Sequence, residues 1–150
     1  MDPITVLIVD DHTVAREGLR AMLENDERVL VVGEAADGQE ALNLVAKLRP
    51  KVVLMDIRMP HIDGLEATRW IKAEHPTTSV IIITSYDEDP LVVAALRAGA
   101  AGYLLKDASR DLLRHTIAAV ANGGILVKAA LLRKAINSFA QVAQPASLSS

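Results

Sequence analysis

The 150 residues include no cysteine, which excludes disulfides, thiolate catalysis and cysteine-ligated zinc or iron–sulfur sites. Aromatic residues make up only 3% against a hydrophobic content of 51%, so a core of aliphatic side chains is expected and disorder is not. No apolar run approaches the ~18 residues of a membrane-spanning helix, and the first five residues do not form a basic stretch leading into an apolar one. A soluble, cytoplasmic protein without a membrane partner is expected. Charge of one sign is also lacking. A net charge of −3 and a pI near 5.8 give no basic footprint for nucleic acid, so any DNA contact is expected to come from sequence outside this chain. Nor does Gly-x-Gly-x-x-Gly follow the first apolar run, which removes the usual dinucleotide cradle.

What the chain does have is strict alternation. Continuous Val/Ile/Leu runs, such as Val6-Leu7-Ile8-Val9 and Val80-Ile81-Ile82-Ile83, suit parallel strands covered on both faces. Five strands are expected, at 4–9, 29–35, 51–55, 80–83 and 102–105. Between and after them, apolar residues recur at helical spacing over 13–25, 38–48, 64–74, 90–98 and 109–122. Asn25-Asp26 is expected to end the first helix, Asp89-Pro90 to cap and open the fourth, Gly99 to close it, and Asn122-Gly123-Gly124 to close the fifth. A three-layer α/β domain with right-handed crossovers follows. After residue 124 the pattern changes. A further helical stretch at 128–143, with Leu132, Ile136, Phe139 and Ala143 on one stripe, precedes Gln144-Pro145-Ala146-Ser147 and reads as a connector helix and linker.

Four of the strands end in polar groups of different kinds: Asp10-Asp11, Asp56, Thr84 and Lys106. The second strand ends in Glu34-Ala35-Ala36-Asp37-Gly38, without comparable chemistry. A sheet ordered 2-1-3-4-5 puts that strand at an edge and opens the switch point between the two strands that carry the aspartates. Three converging carboxylates repel one another and need cations to compensate them, which a divalent ion and Lys106 would supply. Magnesium suits such a site because it prefers oxygen ligands and binds through one or two carboxylates plus phosphate oxygens. A carboxylate can also act as a covalent nucleophile toward phosphoryl groups. Each of these short segments alone would more often be a strand-end turn or a helix cap. Asp56 is harder to dismiss, since it closes a buried Val-Val-Leu-Met run.

Over about residues 3–123 the chain resembles a response-regulator receiver domain of a two-component phosphorelay. The resemblance rests on Val9-Asp10-Asp11-His12, on Met55-Asp56-Ile57-Arg58-Met59-Pro60-His61-Ile62-Asp63-Gly64, on Ile83-Thr84-Ser85, and on Gly99-Ala100-Ala101-Gly102-Tyr103-Leu104-Leu105-Lys106-Asp107. Gly102–Asp107 and Ala121-Asn122-Gly123-Gly124 are similar to the subfamily with a LuxR-type helix-turn-helix output (NarL/FixJ-like). The resemblance implies a flavodoxin-like (βα)5 fold, with residues 1–124 as receiver and 125–150 as connector toward an output domain absent from this chain. It assigns Asp56 as phosphoacceptor, Lys106 as phosphoryl-binding cation, and Thr84 and Tyr103 as a switch pair. Asp10, Asp11, Asp56 and the backbone carbonyl of Arg58 would hold Mg²⁺, Asp10 mostly through water. The implied partners are a sensor histidine kinase as phosphohistidine donor, and a second copy of the chain after phosphorylation. DNA would be reached only through the missing output domain. Such a protein is no enzyme beyond catalysing its own phosphorylation and dephosphorylation. One departure is Asp107, where many receivers have a proline, often with a cis bond.

Two other function classes share parts of this pattern. An aspartyl-phosphate phosphatase would also place an aspartate after a buried strand, but it would need an acid where Arg58 stands. A flavodoxin-like cofactor-binding module would need a Ser/Thr/Gly-rich first loop where this one is doubly acidic. His12, His61, His75 and His115 read as surface or cap residues, Gly38 and Gly64 as helix starts, and Trp70 as packed on its helix face. Leu91-Val92-Val93-Ala94-Ala95-Leu96 puts apolar groups all round a short helix, so part of it is expected to meet a partner. Arg58 and Tyr86, two residues beyond Asp56 and Thr84, flank the line of a hydrolytic water in receivers. They are expected to prolong the phosphorylated state, although an arginine can equally aid the transition state.

Overall fold

A computed structural model describes residues 2–86, 88–123 and 126–127. The elements alternate as expected: β1 (Ile4–Val9), α1 (Thr13–Leu23), β2 (Val29–Ala35), α2 (Gly38–Leu48), β3 (Val52–Asp56), α3 (Gly64–Glu74), β4 (Ser79–Thr84), α4 (Asp89–Ala98), β5 (Gly102–Leu105) and α5 (Arg110–Ala121). The strands pair in parallel in the order 2-1-3-4-5, a flavodoxin-like sheet. A two-residue strand, β6 (Leu126–Val127), extends it beyond β5. The sequence reading did not foresee β6, because two residues are too few to show a period. The connector helix expected at 128–143 lies outside the described residues.

Side chains of successive strand residues point to opposite faces, and this divides the core in two. Leu7, Val9, Val53, Met55, Val80 and Ile82 pack with α2, α3 and α4, whereas Val6, Ile8, Val52, Leu54, Ile81 and Ile83 pack with α1 and α5. The buried face of α5 is Leu113, Thr116, Ile117 and Val120, the i, i+3, i+4, i+7 stripe. Helix starts are fixed by local chemistry: Asp37, Asp63 and Ser109 each accept a backbone N–H three residues on. Gly99 closes α4 at φ 101°, a left-handed conformation that favours glycine.

Two expectations need correction. Glu88, not Asp89, is the N-cap of α4; its side chain makes no capping bond, and Asp89 is already helical, with Pro90 in the first turn, where a missing N–H does no harm. Trp70 is 56% exposed, because α3 buries Ala67, Thr68 and Ile71, and residue 70 lies about 100° round the helix from Ile71. Helix α4 buries Val92, Val93, Ala95 and Ala98, while Leu91 and Leu96 are half-buried against the core and keep part of their surface open.

Candidate phosphoryl and metal site

The pleat explains how distant residues meet. In register, Val9 lies beside Met55 and Asp56 beside Ile83, so Asp10, one residue past β1, comes alongside Asp56, the last residue of β3. Continuing the strand alternation, Asp10, Asp56 and Lys106 share the α1/α5 side. Thr84 and Tyr103 fall on the α4 side. The contacts agree: Lys106 Nζ lies 3.0 Å from Asp10 Oδ2 and 3.5 Å from Asp56 Oδ1. Asp10 and Asp56 are buried, at 1% and 6% exposure, whereas the Asp11 and Lys106 side chains are open to solvent at 28% and 30%. The Lys106–Asp107 peptide is trans, with the Lys106 N–H donating to the Thr84 carbonyl at 2.8 Å.

One oxygen or nitrogen from each of Asp10, Asp11, His12 and Asp56 falls within 4.8 Å of the others. His12 was expected only at the surface or as a cap. It is exposed and is the N-cap of α1, but its side chain makes no capping bond; Nδ1 instead lies 3.0 Å from Asp11 Oδ1 and 3.2 Å from Asp10 Oδ1. His61 and His115 are exposed and His75 caps the end of α3, away from this group. Among the described residues Arg58 contacts no acid. Its guanidinium sits 4.1 Å over the Tyr86 ring. Asp11 and Arg58 line one open cleft with Ile57, Met59, Pro60, Asp63, Leu65 and Leu91.

Thr84 and Tyr103 are both buried and joined through the backbone of Tyr86. The Tyr86 N–H donates to Thr84 Oγ at 3.2 Å, and the Tyr103 hydroxyl donates to the Tyr86 carbonyl. Tyr103 is therefore part of the core and also the far end of a two-bond chain that starts at Thr84.

Burial raises the Asp56 carboxyl to about 6, and the neighbouring Asp10 and Asp11 charges add to the rise, against the pull of Lys106. For Lys106, burial works downward, but the bond to Asp10 and the Asp56 and Asp10 charges outweigh it and the net shift is upward. Unfolding returns Asp56 to the ordinary 3.8. Between these values the folded state holds the proton more tightly, so stability falls as pH rises from about 4 to about 6 and then levels off. A full shift from 3.8 to about 6 would be worth ~3 kcal/mol, and screening through the open mouth at Asp11 and Lys106 reduces this to about 1–2 kcal/mol. In chelator, Asp56→Asn is therefore expected to unfold at higher urea than wild type at pH 7.5, with the gap closing by pH 4. An equal gap at both pH values would contradict the burial argument.

Residues 6–118 match the response regulator receiver domain. The chain belongs to that family. This receiver is 44% identical over 129 residues to the transcriptional regulatory protein YdfI of Bacillus subtilis (strain 168), covering 86% of the chain and 60% of YdfI. Among solved structures it is similar to the receiver domain of the putative response regulator NarL from Mycobacterium tuberculosis (38% identity, TM-score 0.79, 82% of this chain and 99% of that one). It is also similar to a LuxR-family two-component response regulator from Aurantimonas sp. SI85-9A1 (30% identity, TM-score 0.84, 92% and 99%). The two solved relatives carry the NarL and LuxR-family names, consistent with the subfamily that the sequence motifs implied. The receiver spans about three fifths of YdfI's length. Receiver domains generally bind Mg²⁺ at an acidic pocket, and Asp10, Asp11 and Asp56 form a cluster of that kind. Among the described residues no helix is long and apolar enough to cross a membrane.

Sequence reasoning missed two residues that bear on the site. Arg16 donates to the Asp10 carbonyl at 2.7 Å, and Glu34 at the end of β2 accepts from Arg16 at 3.1 Å. The available signal was an acid inside an otherwise apolar strand, with Arg16 and Arg20 one turn apart on α1.

Proposed function

We propose that this receiver is the phosphorylation-activated switch of a cytoplasmic transcription regulator. It accepts a phosphoryl group from a sensor histidine kinase on Asp56 and passes the change to a DNA-binding output domain outside this chain. Residues 1–124 are the receiver in this reading and 125–150 the connector, and phosphorylation favours a homodimer. The observation that carries it is the convergence of Asp56 and Asp10 on Lys106, beside the open Asp11 carboxylate.

The donor set fits Mg²⁺: three carboxylates within reach of one another suit a hard cation better than a soft one. Asp10, Asp11, Asp56 and the Arg58 carbonyl would hold it, Asp10 mostly through water. Bound there, the ion offsets carboxylate charge and orients the donor's phosphoryl oxygens. The remaining work falls to side chains. An Asp56 carboxylate oxygen attacks phosphorus, the P–N bond of the phosphohistidine breaks as the P–O bond forms, and the imidazole leaves with the electron pair. Lys106, 3.5 Å from Asp56, then pairs with a new phosphoryl oxygen. Thr84 turns its hydroxyl to another, which withdraws it from the Tyr86 N–H, and the Tyr86 carbonyl carries that change to Tyr103 and α4. No other substrate is turned over. Intact-mass spectrometry with acetyl phosphate tests the reading: one added phosphoryl group with Mg²⁺ and none with chelator is expected, and metal-independent labelling or no labelling at all would overturn it.

The Arg58 stack on Tyr86 supports a long-lived phosphorylated state, since it ties the ring two residues past Thr84 to a cation on the wall of the cleft that Asp11 lines. Arg58→Ala and Tyr86→Ala should each speed loss of the phosphoryl group about 2- to 5-fold, as expected from losing a contact of about 0.5–1 kcal/mol. The check is a decay time course after donor removal. Slower decay in both variants would mean that Arg58 serves the transition state instead.

A further inference from the structure

Arg16 sits on the first turn of α1 with its side chain only 17% exposed, and its guanidinium bonds to residues around the acidic loop. Nη1 donates to the Asp10 carbonyl at 2.7 Å, Nη2 to Thr13 Oγ at 3.2 Å, and Nε to Glu34 Oε1 at 3.1 Å. The other Glu34 oxygen accepts from Arg20 Nε at 2.8 Å. Glu34 is thus braced from two sides on the edge strand, and Arg16 is braced against Glu34.

The target of the shortest bond is what matters. The Asp10 N–H still belongs to the sheet, donating to the Ala35 carbonyl at 3.1 Å. The Asp10 side chain is committed as well: Oδ1 accepts the His12 N–H at 2.9 Å, and Oδ2 faces Lys106 at 3.0 Å. The Asp10 carbonyl is part of the peptide that leads to Asp11. Fixing that carbonyl fixes the plane of the Asp10–Asp11 peptide, and with it the direction in which Asp11 leaves the backbone. Asp11 is the most open of the three carboxylates and lies beside His12, so its aim depends on its backbone more than on packing.

We infer that Arg16 is a positioning residue for the metal-binding carboxylates, with Glu34 as its brace, so that edge strand β2 sets the geometry of Asp11. This rests on the Mg²⁺ reading of the site above. Groups that orient metal ligands typically affect metal affinity about 10- to 100-fold, and Arg16 stands in that relation to Asp11. A planar fork reaching three acceptors is also something a lysine cannot reproduce.

Mg²⁺ titrations of the full chain by calorimetry, at a temperature where circular dichroism shows each variant folded, test this. Arg16→Met, which keeps the apolar stem, should weaken Mg²⁺ binding at least about 10-fold. Glu34→Gln should weaken it less, and the double variant no more than Arg16→Met alone. Arg20→Met, which leaves every Arg16 bond in place, should stay within about 2-fold of wild type. If Arg16→Met fails to fold, Arg16→Lys takes its place, with weaker binding at an unchanged melting temperature expected. A folded Arg16 variant that binds Mg²⁺ as wild type does overturns the inference. Wild type that binds no Mg²⁺ overturns instead the functional reading on which it rests.

Discussion

Asp56→Asn should take up no phosphoryl group from acetyl phosphate, a loss of at least about 100-fold, while remaining folded. The amide matches the carboxylate in shape but lacks the nucleophilic oxygen anion. Neither neighbouring acid can take over. Asp10 is at 1% exposure with one oxygen on the His12 N–H and the other on Lys106. Asp11 is open, but Lys106 pairs with Asp10 and Asp56 and not with it. Chelating the metal should produce the same loss in wild type, since Lys106 alone brings one positive charge against three carboxylates and an incoming phosphate. Intact mass with and without chelator reads both arms. Full labelling of Asp56→Asn would remove Asp56 from its proposed role.

Gly64→Ala should damage both stability and phosphorylation. A Cβ built on Gly64 would lie 1.9 Å from the Asp56 carbonyl oxygen, 2.8 Å from its carbon and 2.9 Å from Ile57 Cα. All three are backbone atoms, so no side-chain rotation relieves the clash. The Gly64 N–H also donates to the Ile57 carbonyl at 2.7 Å, so the start of α3 is pressed onto the chain that leaves Asp56. Displacing it moves the carboxylate. The expected destabilisation is about 3 kcal/mol by urea unfolding, with slower phosphorylation of whatever remains folded. Gly18→Ala provides the contrast: it lies inside α1 with nothing within 4 Å, and should be neutral or stabilising by up to about 1 kcal/mol. A Gly64→Ala protein within about 0.5 kcal/mol of wild type would mean the loop yields more easily than its contacts suggest.

Gly64 also shows where sequence reading stops. It was legible as a helix start, and it is the first residue of α3, but the close approach to Asp56 depends on how two segments pack. The strands were legible because buried parallel strands are continuous aliphatic runs, and β1, β2 and β5 begin and end where those runs do. Meeting of Asp10, Asp56 and Lys106 could be anticipated from strand order alone, since all three close strands on one edge of the sheet. What strand order could not supply was the pleat, which puts Thr84 and Tyr103 on the opposite side and leaves Tyr86 to link them. Arg16 and Glu34 are 18 residues apart, and no local period relates them. Trp70 was misjudged because a large apolar residue in a helix is usually inward; here Ala67, Thr68 and Ile71 define the buried stripe and leave it outside.

The most direct measurement is where the phosphoryl group resides. Protein treated with acetyl phosphate and Mg²⁺, then reduced with borohydride, converts an aspartyl phosphate into homoserine that tandem mass spectrometry can place in the sequence. The account predicts homoserine at position 56 and at neither 10 nor 11. Homoserine at position 10 or 11, or a phosphoryl group retained on His12, would contradict it.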